Sequence, residues 1–154
     1  MAGILVGVDG SEHSRRALVW AMHEAAEHGL PLTVMTVHQV SPRPVTEVYW
    51  NIPRLEEDVH DVDVVRATVQ EFVDKVAHET GEKVPEVTVT VATGDAAEEL
   101  VKASRDHDIL VVGRRGRGEF AKLLLGSVSS KVTHHAACPT VVIPDAIKPA
   151  KIHS

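Results

Sequence analysis

The chain has 154 residues, 44% hydrophobic, 25% charged and 3% aromatic, with 16 basic against 22 acidic side chains and a formal charge of −6. That length supports one domain with a self-sufficient core, and the composition argues against disorder, collagen and solenoids. The acidic balance speaks against a general nucleic-acid or anionic-membrane surface, and no apolar run reaches the ~20 residues of a membrane span.

Met1-Ala2-Gly3-Ile4 enters an apolar strand with no basic leader, and the lone Cys138 permits no internal disulfide. A cytoplasmic, reducing location is expected, with intermolecular oxidation in lysates.

Ile4-Leu5-Val6-Gly7-Val8 reads as the first strand. Leu18, Ala21, Met22 and Ala25 then recur at helical spacing until Gly29 and Pro31 stop the helix. A second strand spans Leu32 to Val37. Val40 to Pro53, with Pro42, Pro44, Pro53, Tyr49 and Trp50, reads as a long loop, either a surface insertion or an interaction piece.

Val62, Val65, Val69, Phe72, Val73 and Val76 mark a helix from about Glu57 to Thr80, ended by Gly81. Val87 to Val91 is the third strand. Asp95 is a plausible N-cap for a shorter helix carrying Ala96, Ala97, Leu100 and Val101. Ile109 to Val112 is the fourth strand, Val128, Val132 and Ala136 mark the last helix, and Thr140 to Ile143 is the fifth strand. Short β-branched runs alternating with helices predict an α/β three-layer sandwich around one parallel sheet. The chain from Asp145 to Ser154 reads as a flexible tail.

The segment from Gly113 to Ser129 follows a strand and runs into a helix. Gly113, Gly116, Gly118 and Gly126 let backbone amides approach an anion without a Cβ in the way. Ser127 is expected at the N-cap, its hydroxyl and the amides of Val128 and Ser129 facing one point at the positive end of the helix dipole. Residues 113 to 131 hold Arg114, Arg115, Arg117, Lys122 and Lys131 against Glu119, a local +4. A polyphosphate suits this loop; solvated arginines beside an ordinary helix are the plainer reading. No Walker-type G-x-x-x-x-G-K-[ST] occurs, and no G-x-G-x-x-G follows the first strand. Asp9, ending that strand, suits a ribose hydroxyl or a hydrated Mg²⁺, or else simply a turn or helix cap.

In combination these residues resemble the universal stress protein family, in its ATP-binding branch. Gly113, Gly116, Gly126 and Ser127 fit the spacing G-x2-G-x9-G-[ST], and Val6-Gly7-Val8-Asp9-Gly10-Ser11 and Cys138-Pro139-Thr140-Val141-Val142-Ile143 match its opening and closing signatures. The resemblance implies a Rossmann-like, adenine nucleotide alpha hydrolase-like sheet ordered 3-2-1-4-5. It also implies one nucleotide-binding domain over residues 1–144 and a homodimer through Thr140 to Ile143. Its site would comprise Gly7, Val8 and Asp9 at the first strand's end, Asp9 bonding the ribose, and Val37 meeting adenine through its backbone. Val112, Gly113, Arg115, Gly116, Gly126, Ser127, Val128 and Ser129 would surround the phosphates. The ligand implied is ATP, with Mg²⁺.

Histidines and the thiol do not outcompete this reading. His134 and Cys138, at i and i+4, with His135 alongside, suggest zinc on the last helix, yet no second cluster of matching spacing exists. No G-x-S-x-G elbow appears, and Asp9, Glu12 and His13 are the only general-base candidates near a γ-phosphate. The expectation is an ATP-binding stress-response sensor without catalytic residues, at most a weak ATPase. A slow Mg²⁺-dependent ATPase or nucleotidyl-transfer enzyme, or an interaction module using residues 41–53, are the alternatives.

Overall fold

The computed structural model describes residues 2–38, 62–115 and 126–145. Among these, strands and helices alternate: β1 (Ile4–Gly7), α1 (Glu12–His28), β2 (Leu32–His38), α2 (Val62–Thr80), β3 (Val87–Thr93), α3 (Ala96–Ser104), β4 (Ile109–Gly113), α4 (Ser127–His135) and β5 (Thr140–Ile143). The strands form one parallel sheet in the order β3-β2-β1-β4-β5. This is the three-layer architecture and strand order expected.

Each strand is read by its period of two. Ile4 and Val6 face a layer built from Leu18, Ala21, Met22 and Ala25 of α1 and Val65, Val69, Val73 and Val76 of α2. Leu5 faces the opposite layer, with Ala97 and Leu100 of α3 and Val132 of α4. Burying both faces of the central strands explains their unbroken apolar runs, and each fully buried Leu, Met or Val contributes roughly 1.5–3 kcal/mol.

Helix ends follow local chemistry. Ser11 caps α1, its Oγ accepting from Ser14 N at 3.1 Å, and Gly29 ends it in the left-handed region at φ 63°. Asp95 caps α3 through Glu98 N at 3.0 Å. Gly81, at φ 69°, follows α2 and donates to Ala77 O. The buried Ser104 hydroxyl donates to Val101 O and accepts from Ala137 N at 2.9 Å, fastening α3 to the segment after α4.

The strands run slightly past several expected ends: β2 reaches His38, and β3 reaches Thr93, because Val37 and His38 pair with Ala92 and Thr93. The Val40–Pro53 loop with Tyr49 and Trp50, and the first turn expected for α2 from Glu57, lie outside the described residues. Among the described residues no helix is long and apolar enough to cross a membrane.

Candidate functional site

β1 is the switch point of the sheet: the chain leaves its carboxyl end through α1 toward β2, whereas β4, on its other side, is reached through α3. Ligands of open parallel sheets collect in the crevice at such a point. What lines it follows from how each strand ends there.

β1 pairing continues one residue, with Val8 N donating to Met35 O at 2.9 Å. Asp9 then forms a turn, its Oδ1 accepting from Ser11 N at 2.9 Å, and Gly10 takes φ 81°. Of the two plain roles open to Asp9, turn and cap, the structure has the turn; Ser11 is the cap. The half-buried carboxylate remains at the strand's carboxyl end, where the sequence put it.

The two site glycines of the strands are explained by packing. A Cβ on Gly7 would stand 3.0 Å from Leu100 Cδ1, and one on Gly113 would stand 2.9 Å from the carbonyl oxygen of His13. Their absence lets α3 and the first turn of α1 settle onto the sheet. Val8 and Val112 are buried, and Val37 is half-buried among apolar neighbours.

The N-cap of α4 is Gly126, at φ −73° and ψ 169°, and not Ser127, which is an exposed first helical residue. Glycine is an accepted N-cap, and here the cap backbone has other work, which a preference for hydroxyls does not foresee. Gly126 N donates to Arg114 O at 2.7 Å, and Gly126 O accepts from Ser130 N at 2.9 Å. Ser129, buried to 3%, donates its hydroxyl to the same Arg114 carbonyl at 2.6 Å, with Gly126 O at 3.1 Å. One carbonyl therefore pins both ends of the glycine-rich loop. The first turn of α4 has no acidic residue and no side-chain cap, so its amides present a positive end to the crevice. Val128 is half-buried in the core layer beneath. Gly116, Arg117, Gly118, Glu119 and Lys122 lie outside the described residues.

Arg114 and Arg115 turn out to be engaged. Asp145 Oδ2 accepts from Arg114 Nη2 at 2.5 Å and from Arg115 Nη2, and its Oδ1 accepts from Arg115 Nε at 3.3 Å. His13 Nδ1 lies 3.2 Å from Asp145 Oδ1 without the alignment of a hydrogen bond. Asp145, assigned by the sequence to a flexible tail, is thus a member of the site. The register accounts for it: β4 and β5 pair with Gly113 opposite Ile143, so two residues further Arg115 falls beside Asp145.

Burial first, then the cations Arg115, Arg16 and Arg114, hold His13 below the ordinary imidazole pKa, with Asp9 opposing. The folded state resists a proton that the unfolded chain accepts near pH 6.5, so this contribution is present above that pH and lost as pH falls. His23 acts oppositely: the hydrogen bond with Glu82 raises its pKa, a stabilisation complete at low pH and lost as pH rises. His13→Gln is expected to lessen the loss of stability on acidification. Urea midpoints at about pH 7.5 and 5.5 test this, and an undiminished loss in the variant would contradict it.

The zinc geometry does not form on a helix. α4 ends at His135 and the chain leaves helical geometry at Ala136 (ψ 145°), so Cys138 is not one helical turn from His134, whose Nδ1 is bonded to Ser130 O at 2.7 Å. Among the described residues no three His, Cys, Asp or Glu side chains converge on a metal position. Burial raises the pKa of the half-buried Cys138 thiol, with Asp108 adding to the effect, which disfavours the thiolate.

The family model described as the universal stress protein family matches residues 2–144. Universal stress protein Rv2623 of Mycobacterium tuberculosis is 35% identical over 147 residues, 93% of this chain and 48% of that protein. A universal stress protein of Mycolicibacterium smegmatis is 34% identical, covering 92% of this chain and 47% of its own length. The chain thus spans about half the length of these curated relatives. In fold it is similar to universal stress protein UspA from Lactobacillus plantarum, with a TM-score of 0.72 at 23% identity over 92% of this chain and 96% of that one. It is similar also to a universal stress protein in complex with cAMP, with a TM-score of 0.64 at 23% identity over 94% and 97% of the two chains. The Archaeoglobus fulgidus protein in complex with dAMP gives a TM-score of 0.59 at 22% identity over 92% and 96%.

Proposed function

The chain belongs to the universal stress protein family, and from that premise and the site geometry we propose that it binds an adenine nucleotide between the carboxyl ends of β1 and β4. The observation carrying this reading is the closed loop: Arg114 O fixes Gly126 and Ser129, which aims the first turn of α4, without acidic residue or side-chain cap, at the switch point. The cAMP and dAMP held by two proteins of similar fold fit the ligand class.

ATP, with Mg²⁺, is the proposed ligand. Asp9 would take the ribose and the backbone at Val37 the adenine. Gly113, Gly116, Gly126, Ser127, Val128 and Ser129 would take the phosphates, with Arg115 at their edge. Gly7, Val8 and Val112 supply the floor. The protein is proposed to be a cytoplasmic stress-response sensor, not an efficient enzyme: of the base candidates Asp9, Glu12 and His13, the Asp9 carboxylate is engaged by the Ser11 amide and His13 packs against Gly113. A homodimer through β5 would cover Thr140, Val141 and Val142, which are half-buried on a strand hydrogen-bonded only to β4 among the described residues.

Denaturing freshly purified protein and identifying the released small molecules by mass spectrometry, followed by calorimetric titration with ATP and Mg²⁺, tests the reading. Co-purified adenine nucleotide, or saturable ATP binding, is expected. Gly116→Val should weaken ATP at least about ten-fold with the fold retained, because a branched side chain would block backbone approach to phosphate. No binding at millimolar ATP, or equal affinity in the variant, would refute the phosphate-loop assignment. Turnover well above background that disappears on changing Asp9 would replace the sensor with an ATPase.

A further inference from the structure

We propose that Asp145 is a positioning residue for the first turn of α4, acting not by contact with a ligand but through the Arg114–Arg115 peptide, whose carbonyl fixes where that turn begins. The inference rests on the nucleotide reading and deepens it, naming what holds in place the turn proposed to meet phosphate.

A chain of hydrogen bonds runs from the end of β5 to the start of α4 through one residue. Arg114 N donates to Ile143 O at 2.8 Å, which carries the β4–β5 pairing one step beyond Gly113. Its guanidinium donates through Nη2 to Asp145 Oδ2 at 2.5 Å. The next residue, Arg115, donates through Nε to Asp145 Oδ1 at 3.3 Å and through Nη2 to Oδ2. The peptide between the two arginines is therefore gripped from both of its residues by one carboxylate. Its carbonyl, Arg114 O, accepts from Gly126 N at 2.7 Å and from Ser129 Oγ at 2.6 Å. Gly126 is the N-cap of α4 and Ser129 lies in its first turn, so the direction of one carbonyl sets the place of the helix start.

The carboxylate makes the grip directional. Charge-assisted bonds are stronger than neutral ones, and two neighbouring guanidinium groups that converge on one acceptor restrict rotation of the peptide between them. The cap of α4 has no side-chain hydrogen bond of its own, so its placement leans on the Arg114 carbonyl. A phosphate held by several backbone amides is sensitive to that placement, because a shifted turn misaligns its donors together.

The test is amide hydrogen exchange together with calorimetric affinity for ATP and adenosine, in the wild-type chain, Asp145→Ala and Asp145→Asn. In Asp145→Ala the Gly126 amide should exchange about ten-fold faster relative to the Val8 amide, which is bonded to Met35 O in the sheet. ATP should bind about ten-fold weaker and adenosine without change; Asp145→Asn, which keeps one acceptor oxygen, should show the same changes to a smaller degree. Charge alone predicts the opposite sign, because loss of a carboxylate makes the loop more attractive to an anion. ATP affinity that is unchanged or tighter in Asp145→Ala, or adenosine weakened equally, overturns the proposal. So does Gly126 exchange that is unchanged, or that rises only in step with Val8, the mark of a general loss of stability. Should Asp145→Ala not fold, Asp145→Asn is read by the same criteria. If the wild-type chain binds no ATP, the nucleotide reading falls and exchange alone decides: selective acceleration at Gly126 upholds the positioning role, and its absence overturns that role as well.

Discussion

Gly3→Ala should cost about 3–5 kcal/mol of unfolding free energy, from a left-handed backbone and a direct clash acting at one residue. Gly3 is buried at φ 80°, and a Cβ there would stand 2.2 Å from Pro31 O and 2.7 Å from Pro31 Cγ. Neither neighbour can retreat cheaply. Pro31 O accepts from Ile4 N at 2.9 Å, at the start of the β1–β2 pairing, and the proline ring has no rotamer to turn away. Gly3 also bonds Asp108 twice, its N–H to Oδ2 at 3.0 Å and its carbonyl to Asp108 N at 2.8 Å, so moving it disturbs the entry to β4. Gly29→Ala and Gly81→Ala are the controls, since both have positive φ, 63° and 69°, with nothing within 4 Å of the added atom. They should lose only about 1 kcal/mol each. Equal urea midpoints for the three variants would show that the clash is absorbed.

Gly113→Val is expected to lose about 2–3 kcal/mol and to weaken ATP in the same protein. The added Cβ would meet His13 at its carbonyl oxygen (2.9 Å), carbonyl carbon (3.1 Å) and Cβ (3.2 Å), so the first turn of α1 must lift from β4. That turn carries Ser11 and Ser14 of the cap and adjoins Asp9. A stability loss with ATP affinity unchanged would separate Gly113 from the ligand and leave it a packing residue alone. Denaturant titration and calorimetry on the same preparation read both effects.

Features set by a few neighbouring residues were legible in the sequence. Gly29, Gly81 and Asp95 mark helix ends through backbone conformation or a single side-chain bond, and each lies where spacing predicts it. The stripe Leu18, Ala21, Met22 and Ala25 is fully buried, as its period requires. Features that depend on a distant partner were not legible. β3 extends to Thr93 because His38 lies opposite. The cap of α4 shifts to Gly126 because the Arg114 carbonyl claims its amide. The role of Asp145 requires knowing that β4 and β5 are neighbours, and that order comes from the family resemblance, since no residue pattern in either strand states it.

The central place of β1 also has a consequence in time. It is the first of the five described strands in chain order, and its two partners are Leu32–Met35 and, beginning at Ile109, the start of β4. While the chain emerges, β1 can pair with β2 early, yet its other edge waits for about a hundred further residues to be made. Throughout that interval a strand of Ile4, Leu5 and Val6, wholly buried in the finished protein, presents unpaired backbone and apolar side chains to other chains. The same strand that organises the finished sheet thus has an open edge during synthesis, and the rate at which β4 arrives sets how long that edge stays open.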